Sequence, residues 1–183
     1  LSIFIQITRH LYEEPHQLNL VIIASNGYAQ GALEFYSSTK TLQEIGSALS
    51  VFPQNERSGY LYQGGSEYPE DRFGWYLRLR ARALNSGDEC LLQLRFNNNE
   101  RNDQERYFET PQLTDFYIRT YANSLQRLGG LLKKFAKLKH QRLYWTPDSG
   151  FVDNSLLYRD RIAGDTLEAA RLSLPVNGGV SEQ

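Results

Sequence analysis

Apolar and polar side chains alternate with period two over residues 2–9, 18–25, 28–36, 74–84, 89–97 and 104–109, which predicts six strands. Asn26-Gly27 between the second and third is a tight-hairpin signal, because both residues tolerate positive φ. Asn85-Ser86-Gly87-Asp88 marks a second hairpin. Elsewhere the apolar spacing changes to three and four. Leu42, Ile45, Leu49 and Phe52 predict a helix over about residues 39–52, with Thr41-x-x-Glu44 as a capping box and Pro53 as the stop. Leu125, Leu128, Leu132 and Phe135 predict a second helix over about residues 113–138, entered through Pro111.

The two helical segments repeat one another. Leu42-x-x-Ile45-Gly46-x-x-Leu49-x-x-Phe52 returns as Leu125-x-x-Leu128-Gly129-x-x-Leu132-x-x-Phe135, each position 83 residues further on. Tyr60-Leu61-Tyr62 falls on Leu143-Tyr144-Trp145 at that offset. Upstream the offset is 72, placing Ile3, Ile5 and Ile7 on Trp75, Leu77 and Leu79. The same offset places Leu18, Leu20 and Ile22 on Cys90, Leu92 and Leu94. The difference is 11 residues, about three helical turns, so an insertion before the second helix would lengthen it without rotating its apolar face. Phe116 or Tyr117, then Tyr121, continue the stripe backwards. The expected fold class is therefore α+β, a tandem pseudo-symmetric duplication of a β-β-β-α-β unit, with antiparallel sheets each packed on one helix. Residues 1–146 form the duplicated domain: repeat one is 1–63, a linker 64–73, repeat two 74–146. Gly46 and Gly129 each cost about 1 kcal/mol inside a helix, which implies compensation by close helix packing. Residues 147–183 read as a C-terminal extension, partly docked and partly disordered, in which Asp165-x-x-Glu168 could cap a short helix.

Composition adds bounds. The 183 residues carry 20 Lys+Arg and 21 Asp+Glu, a formal net charge of -1. That argues against a strongly basic nucleic-acid binder and leaves room for a local patch. No apolar run approaches the roughly 18 residues of a membrane span, and no secretory signal opens the chain, so a cytoplasmic bacterial-type protein is expected. The lack of methionine suggests that a few starting residues are missing.

The usual signatures of chemistry are absent. His10, His16 and His140 are scattered, without metal-ligand spacing, and no cofactor or metal site is expected. Cys90, the single cysteine, sits at an inward position beside Leu92 and Leu94 and reads as a small buried hydrophobe. Glu13-Glu14 and Glu70-Asp71 read as solvated loop carboxylates. Gly64-Gly65 lacks the Lys-Ser/Thr that a phosphate cradle needs. No catalytic residue is named on these grounds.

One constellation stands out. In the strand over residues 74–84, Trp75, Leu77, Leu79, Ala81 and Ala83 form the core face, and Arg78, Arg80 and Arg82 the other. With residues 85–88 as the hairpin loop, Arg82 faces Leu91, Arg80 faces Gln93 and Arg78 faces Arg95. Four arginines then share one sheet face, where like charges directly opposite repel. Either nearby carboxylates neutralise them, or the face meets an acidic protein surface or a nucleic-acid backbone. A second candidate surface is apolar. Phe4, Val21 and Ile23 lie on the outer face of strands whose inner face is already apolar. Such strands are normally covered on both sides, and each apolar side chain left in water forfeits about 1.5–3 kcal/mol. The C-terminal segment through Leu156, Leu157 and Ile162 is the expected cover, ahead of a second subunit or a partner.

The stretch Glu34-Phe35-Tyr36, a Ser/Thr cap and Leu42-x-x-Ile45-Gly46-x-x-Leu49-x-x-Phe52-Pro53 resembles the WapI-type immunity proteins and related bacterial families. Trp75-Tyr76-Leu77-Arg78-Leu79-Arg80, then Phe108-Glu109-Thr110 and a helix, fit the same plan. The resemblance covers roughly residues 1–146 and implies a non-catalytic protein-binding module that neutralises a partner toxin. The runners-up are a nucleic-acid-associated accessory protein, using the arginine face, and an enzyme whose site is not visible in sequence. A protein partner is expected, nucleic acid is not favoured, no membrane contact is expected, and a homodimer stays open.

Overall fold

The computed structural model describes residues 1–11, 14–15, 17–84, 88–99 and 112–154. Strands β1 (Ile3–His10), β2 (Leu18–Asn26) and β3 (Gln30–Ser37) lead into helix α1 (Thr39–Ser50) and strand β4 (Gly59–Gly65). The order then repeats with β5 (Trp75–Leu84), β6 (Glu89–Asn98), β7 (Gln112–Tyr121), α2 (Ala122–Phe135) and β8 (Arg142–Trp145). A last strand, β9 (Gly150–Asp153), follows. The architecture is α+β, with two antiparallel sheets in the orders β3-β2-β1-β8-β9 and β4-β5-β6-β7. None of the described helices is long and apolar enough to cross a membrane.

The fourth strand of each unit does not close its own sheet. β4 leaves the first unit to pair with β5, and β8 leaves the second to pair with β1. Each sheet is thus three strands of one unit plus the fourth strand of the other, and β9 extends the first sheet beyond β8. Equivalent residues meet where the units touch. A Cβ on Gly46 would fall 2.9 Å from the Gly129 carbonyl oxygen and 2.9 Å from Lys133 Cγ. A Cβ on Gly129 would fall 2.6 Å from the Gly46 carbonyl oxygen and 2.5 Å from Ser50 N. Lys133 is the counterpart of Ser50, so the contact is reciprocal. Gly31 packs on its own counterpart, Thr114, whose Cγ2 would lie 2.5 Å from an added Cβ. Self-complementary contacts of this kind mark an approximate two-fold axis. The compensation expected for the two helical glycines is therefore a helix-helix contact.

Strand register locates the extra 11 residues. Ile22 lies opposite Leu33, and its counterpart Leu94 lies opposite Phe116. Leu33 and Phe116 are already 83 apart, so the offset changes in the β6–β7 connection and not at the helix. The expected strand over residues 104–109 lies outside the described residues. The expected helical start at residue 113 is corrected: residues 112–121 are β7, paired with β6 along its whole length, from Asn98–Gln112 to Glu89–Tyr121. Phe116, Ile118 and Thr120 are buried while Tyr117, Arg119 and Tyr121 are exposed, a period-two pattern carried by aromatic and β-branched residues. β8 sits two residues nearer the start of β1 than β4 does on β5, since Leu143 faces Ile7 whereas its counterpart Tyr60 faces Ala81, the counterpart of Arg9. An even shift keeps the same side chains inward.

α1 begins one turn before the expected box. Ser38, in an extended conformation, accepts a hydrogen bond from Thr41 N at 3.1 Å. Its buried stripe of Leu42, Ile45 and Leu49 joins that of Leu125, Leu128, Leu132 and Phe135 and the inner faces of both sheets in one core. Cys90 lies fully buried in it, as expected.

The core also holds a charge the periodicity did not mark. Arg9 ends the inward row of β1, and its guanidinium donates to Glu14 Oε2 at 2.6 Å and to the Leu138 carbonyl at 3.0 Å, 6.0 Å from the Phe135 ring centroid. Burial lowers the Arg9 pKa and raises that of Glu14 against the pull of each on the other. Glu14 is thus a paired, largely buried carboxylate rather than a solvated one; Glu13 lies outside the described residues.

Candidate partner-binding face

The outer face of the second sheet carries the expected arginines in the expected register: Arg82 opposite Leu91, Arg80 opposite Gln93, Arg78 opposite Arg95. β4 extends the rows on one side, placing Gly59 beside Arg82, Leu61 beside Arg80 and Gln63 beside Arg78. β7 extends them on the other, placing Arg119 beside Leu91, Tyr117 beside Gln93 and Asp115 beside Arg95.

The four arginines differ in what they hold. Arg95 is neutralised: its Nε donates to Glu67 Oε1 at 2.7 Å and its Nη1 to Asp115 Oδ2 at 2.9 Å. Those bonds, Glu67 first, raise its pKa further. Gln93 Nε2 donates to the other oxygen of Asp115 at 2.8 Å, fixing that carboxylate. This separates Arg95 from Arg78 electrostatically and relieves the like-charge pair. Arg78 donates from Nε to Tyr76 Oη at 3.0 Å and lies 5.8 Å from that ring's centroid; Gln63 Nε2 donates to the same oxygen at 2.6 Å. Arg80 and Arg82 are exposed, and neither has a carboxylate within ion-pair distance among the described residues.

Beside them is a shallow groove of about 560 Å³, lined by Arg57, Gly59, Leu61, Arg78, Arg80 and Arg82 among others, with no carboxylate in its described lining. Arg57 comes from the connection before β4. Sequence reasoning missed it, because the strand expected at Tyr60-Leu61-Tyr62 was assigned to the first unit and not placed beside the arginines, where it pairs with β5. Leu61 stands exposed at the groove, and Leu113, Tyr117 and Tyr121 stand exposed on the same sheet face two strands away, on β7. Arg119 is paired with Glu89 at 2.5 Å.

The apolar patch is partly covered. Val21 is buried, while Phe4 and Ile23 are half-buried. Phe4 stacks on Tyr144 of β8 at 5.8 Å, and Tyr144 on Phe151 of β9 at 5.5 Å, with Arg142 5.2 Å from the Phe151 centroid. The expected covering residues Leu156, Leu157 and Ile162, and the short helix after Asp165, lie outside the described residues.

The remaining chemistry stays dispersed. Among the described residues no three His, Cys, Asp or Glu side chains gather into a metal-holding group. Burial pushes the Cys90 thiol pKa up, away from a reactive thiolate. Asp71 accepts a hydrogen bond from Ser66 Oγ at 2.5 Å and helps hold the loop that carries Glu67. The apolar void between the sheets and helices is about 30 Å³, too small for a ligand. No family model, curated protein or solved structure matches the chain.

Proposed function

We propose that this chain is a non-catalytic binding protein whose working surface is the outer face of the second sheet, and that its partner is an acidic protein. An immunity-type role, neutralising a bacterial toxin inside the cell, is the form suggested by the sequence resemblance. The observation that carries the reading is the contrast within one row of arginines. Among the described residues, carboxylates reach Arg95 and none reaches Arg80 or Arg82. Exposed Leu61 adjoins the uncompensated pair and exposed Tyr117 and Tyr121 share its sheet face, and Tyr and Arg dominate the energetics of protein interfaces because each combines contact area with polar reach. Rim charges of this kind act mainly on association rate and partner choice.

The test is capture from a lysate of the native host with the wild-type chain beside the Arg80→Glu/Arg82→Glu variant, followed by mass spectrometry. The expected result is an acidic partner retained by the wild type and lost by the variant. A partner held equally by both would remove this face from the function. Nucleic acid, held by wild type with an affinity falling steeply with salt, would move the assignment to the accessory-protein reading.

A further inference from the structure

We propose that the groove between β4 and β5 takes an extended acidic segment of the partner, with carboxylates at alternate positions. The inference rests on the reading of this face as a protein-binding surface and adds the conformation and charge pattern of what it binds. Arg78, Arg80 and Arg82 occupy alternate positions of one strand, so their Cα atoms repeat at about 6.6–6.8 Å. An extended chain laid alongside has the same repeat. Aspartates or glutamates at every second residue would meet the arginines in step, each in the bidentate geometry that a guanidinium favours.

The walls fit such a segment. Among the described strands β4 is the edge of the sheet, paired to β5 alone. Gly59, beside Arg82, leaves the groove open: a Cβ there would meet nothing nearer than the Ala81 carbonyl oxygen at 3.9 Å. Leu61, exposed beside Arg80, offers apolar contact to the side chain between two carboxylates. The protein makes one such cross-strand contact on itself, since Asp115 on the neighbouring strand accepts from Arg95 Nη1. Because Glu67 and Asp115 satisfy Arg95, the footprint stops there and runs toward Arg57. A net charge of -1 provides little long-range attraction for a polyanion such as nucleic acid, so short-range pairing in register must carry selectivity.

The experiment is fluorescence anisotropy at low salt with three labelled probes: an alternating Asp-Thr peptide, a block peptide of the same composition, and a short oligothymidylate. The full chain is compared with Arg80→Glu/Arg82→Glu, with Gly59→Glu, which keeps every arginine and places a carboxylate in the groove, and with Lys137→Gln, on the exposed connection between α2 and β8, as a control outside this face. Circular dichroism verifies that each variant is folded. The expected result is alternating peptide bound about tenfold tighter than block, at least tenfold weakening in both groove variants, and no change in the control. Equal affinity for the two peptides, no measurable binding of the alternating one, or tighter binding of the oligothymidylate overturns the proposal. If a host partner is still captured through Arg80 and Arg82 while the peptides do not discriminate, only the extended-segment inference fails. If capture is also indifferent to the arginines, the wider reading fails with it.

Discussion

Gly129 and Gly130 are neighbours on one helix with opposite surroundings. A methyl group on Gly129 would lie 2.5 Å from Ser50 N and 2.6 Å from the Gly46 carbonyl oxygen, and backbone atoms of a packed helix cannot swing aside. A methyl group on Gly130 would meet nothing within 4 Å. Alanine gains up to about 1 kcal/mol of helix propensity over glycine at either site. Gly130→Ala should therefore stabilise by up to about that amount. Gly129→Ala should destabilise by about 1–3 kcal/mol, because overpacking outweighs propensity. Gly46→Leu should exceed both, since its added atoms point at Gly129 and Lys133. Urea denaturation of the three variants checks the ordering. Gly129→Ala matching Gly130→Ala in stability would show that the helices do not meet there.

At the scale of elements, local pattern specified most of the fold and stopped where long-range pairing decides. Five of the six expected strands fall within about two residues of β1, β2, β3, β5 and β6, because each has one clear period and a turn signal. β7 failed because two periods fit the same residues. Phe116, Tyr121 and Leu125 can be strung at near-helical spacing, while Phe116, Ile118 and Thr120 alternate, and pairing with β6 breaks the tie. The arginine row was legible because a short hairpin fixes register between β5 and β6. Glu67 and Arg57 were not, since each reaches the face from a connection whose path no local pattern contains. The start of α1 is a smaller case with a direct test. Ser38, not Thr41 with Glu44, caps the helix, so Ser38→Ala should cost about 1 kcal/mol. Glu44→Ala, at an exposed position whose ion pair to Lys40 is 3.9 Å long, should stay within about 0.5 kcal/mol. Thermal melts that rank the two the other way would restore the capping box.

At the scale of the molecule, the exchange of β4 and β8 makes each half of the chain structurally incomplete. Residues 1–65 alone would leave β1 without β8 on one flank and β4 without β5. The inward side chains Ile5, Ile7, Leu42, Ile45 and Leu49 would lose the core they share with Leu125, Leu128 and Trp145. At about 1.5–3 kcal/mol for each apolar side chain returned to water, the loss is comparable with the whole stability of a domain this size. Residues 1–65 expressed alone should therefore be unfolded, or should pair with a second copy, because the contacts at Gly31 and Gly46 lie near the approximate two-fold axis and a second copy could occupy the other half's place. Expressed together with residues 66–183, they should assemble into a folded heterodimer with the secondary structure of the intact chain. Size-exclusion chromatography with circular dichroism distinguishes these states. A fragment of residues 1–65 that is monomeric and melts cooperatively would show that the exchanged strands add to two self-sufficient units rather than completing them.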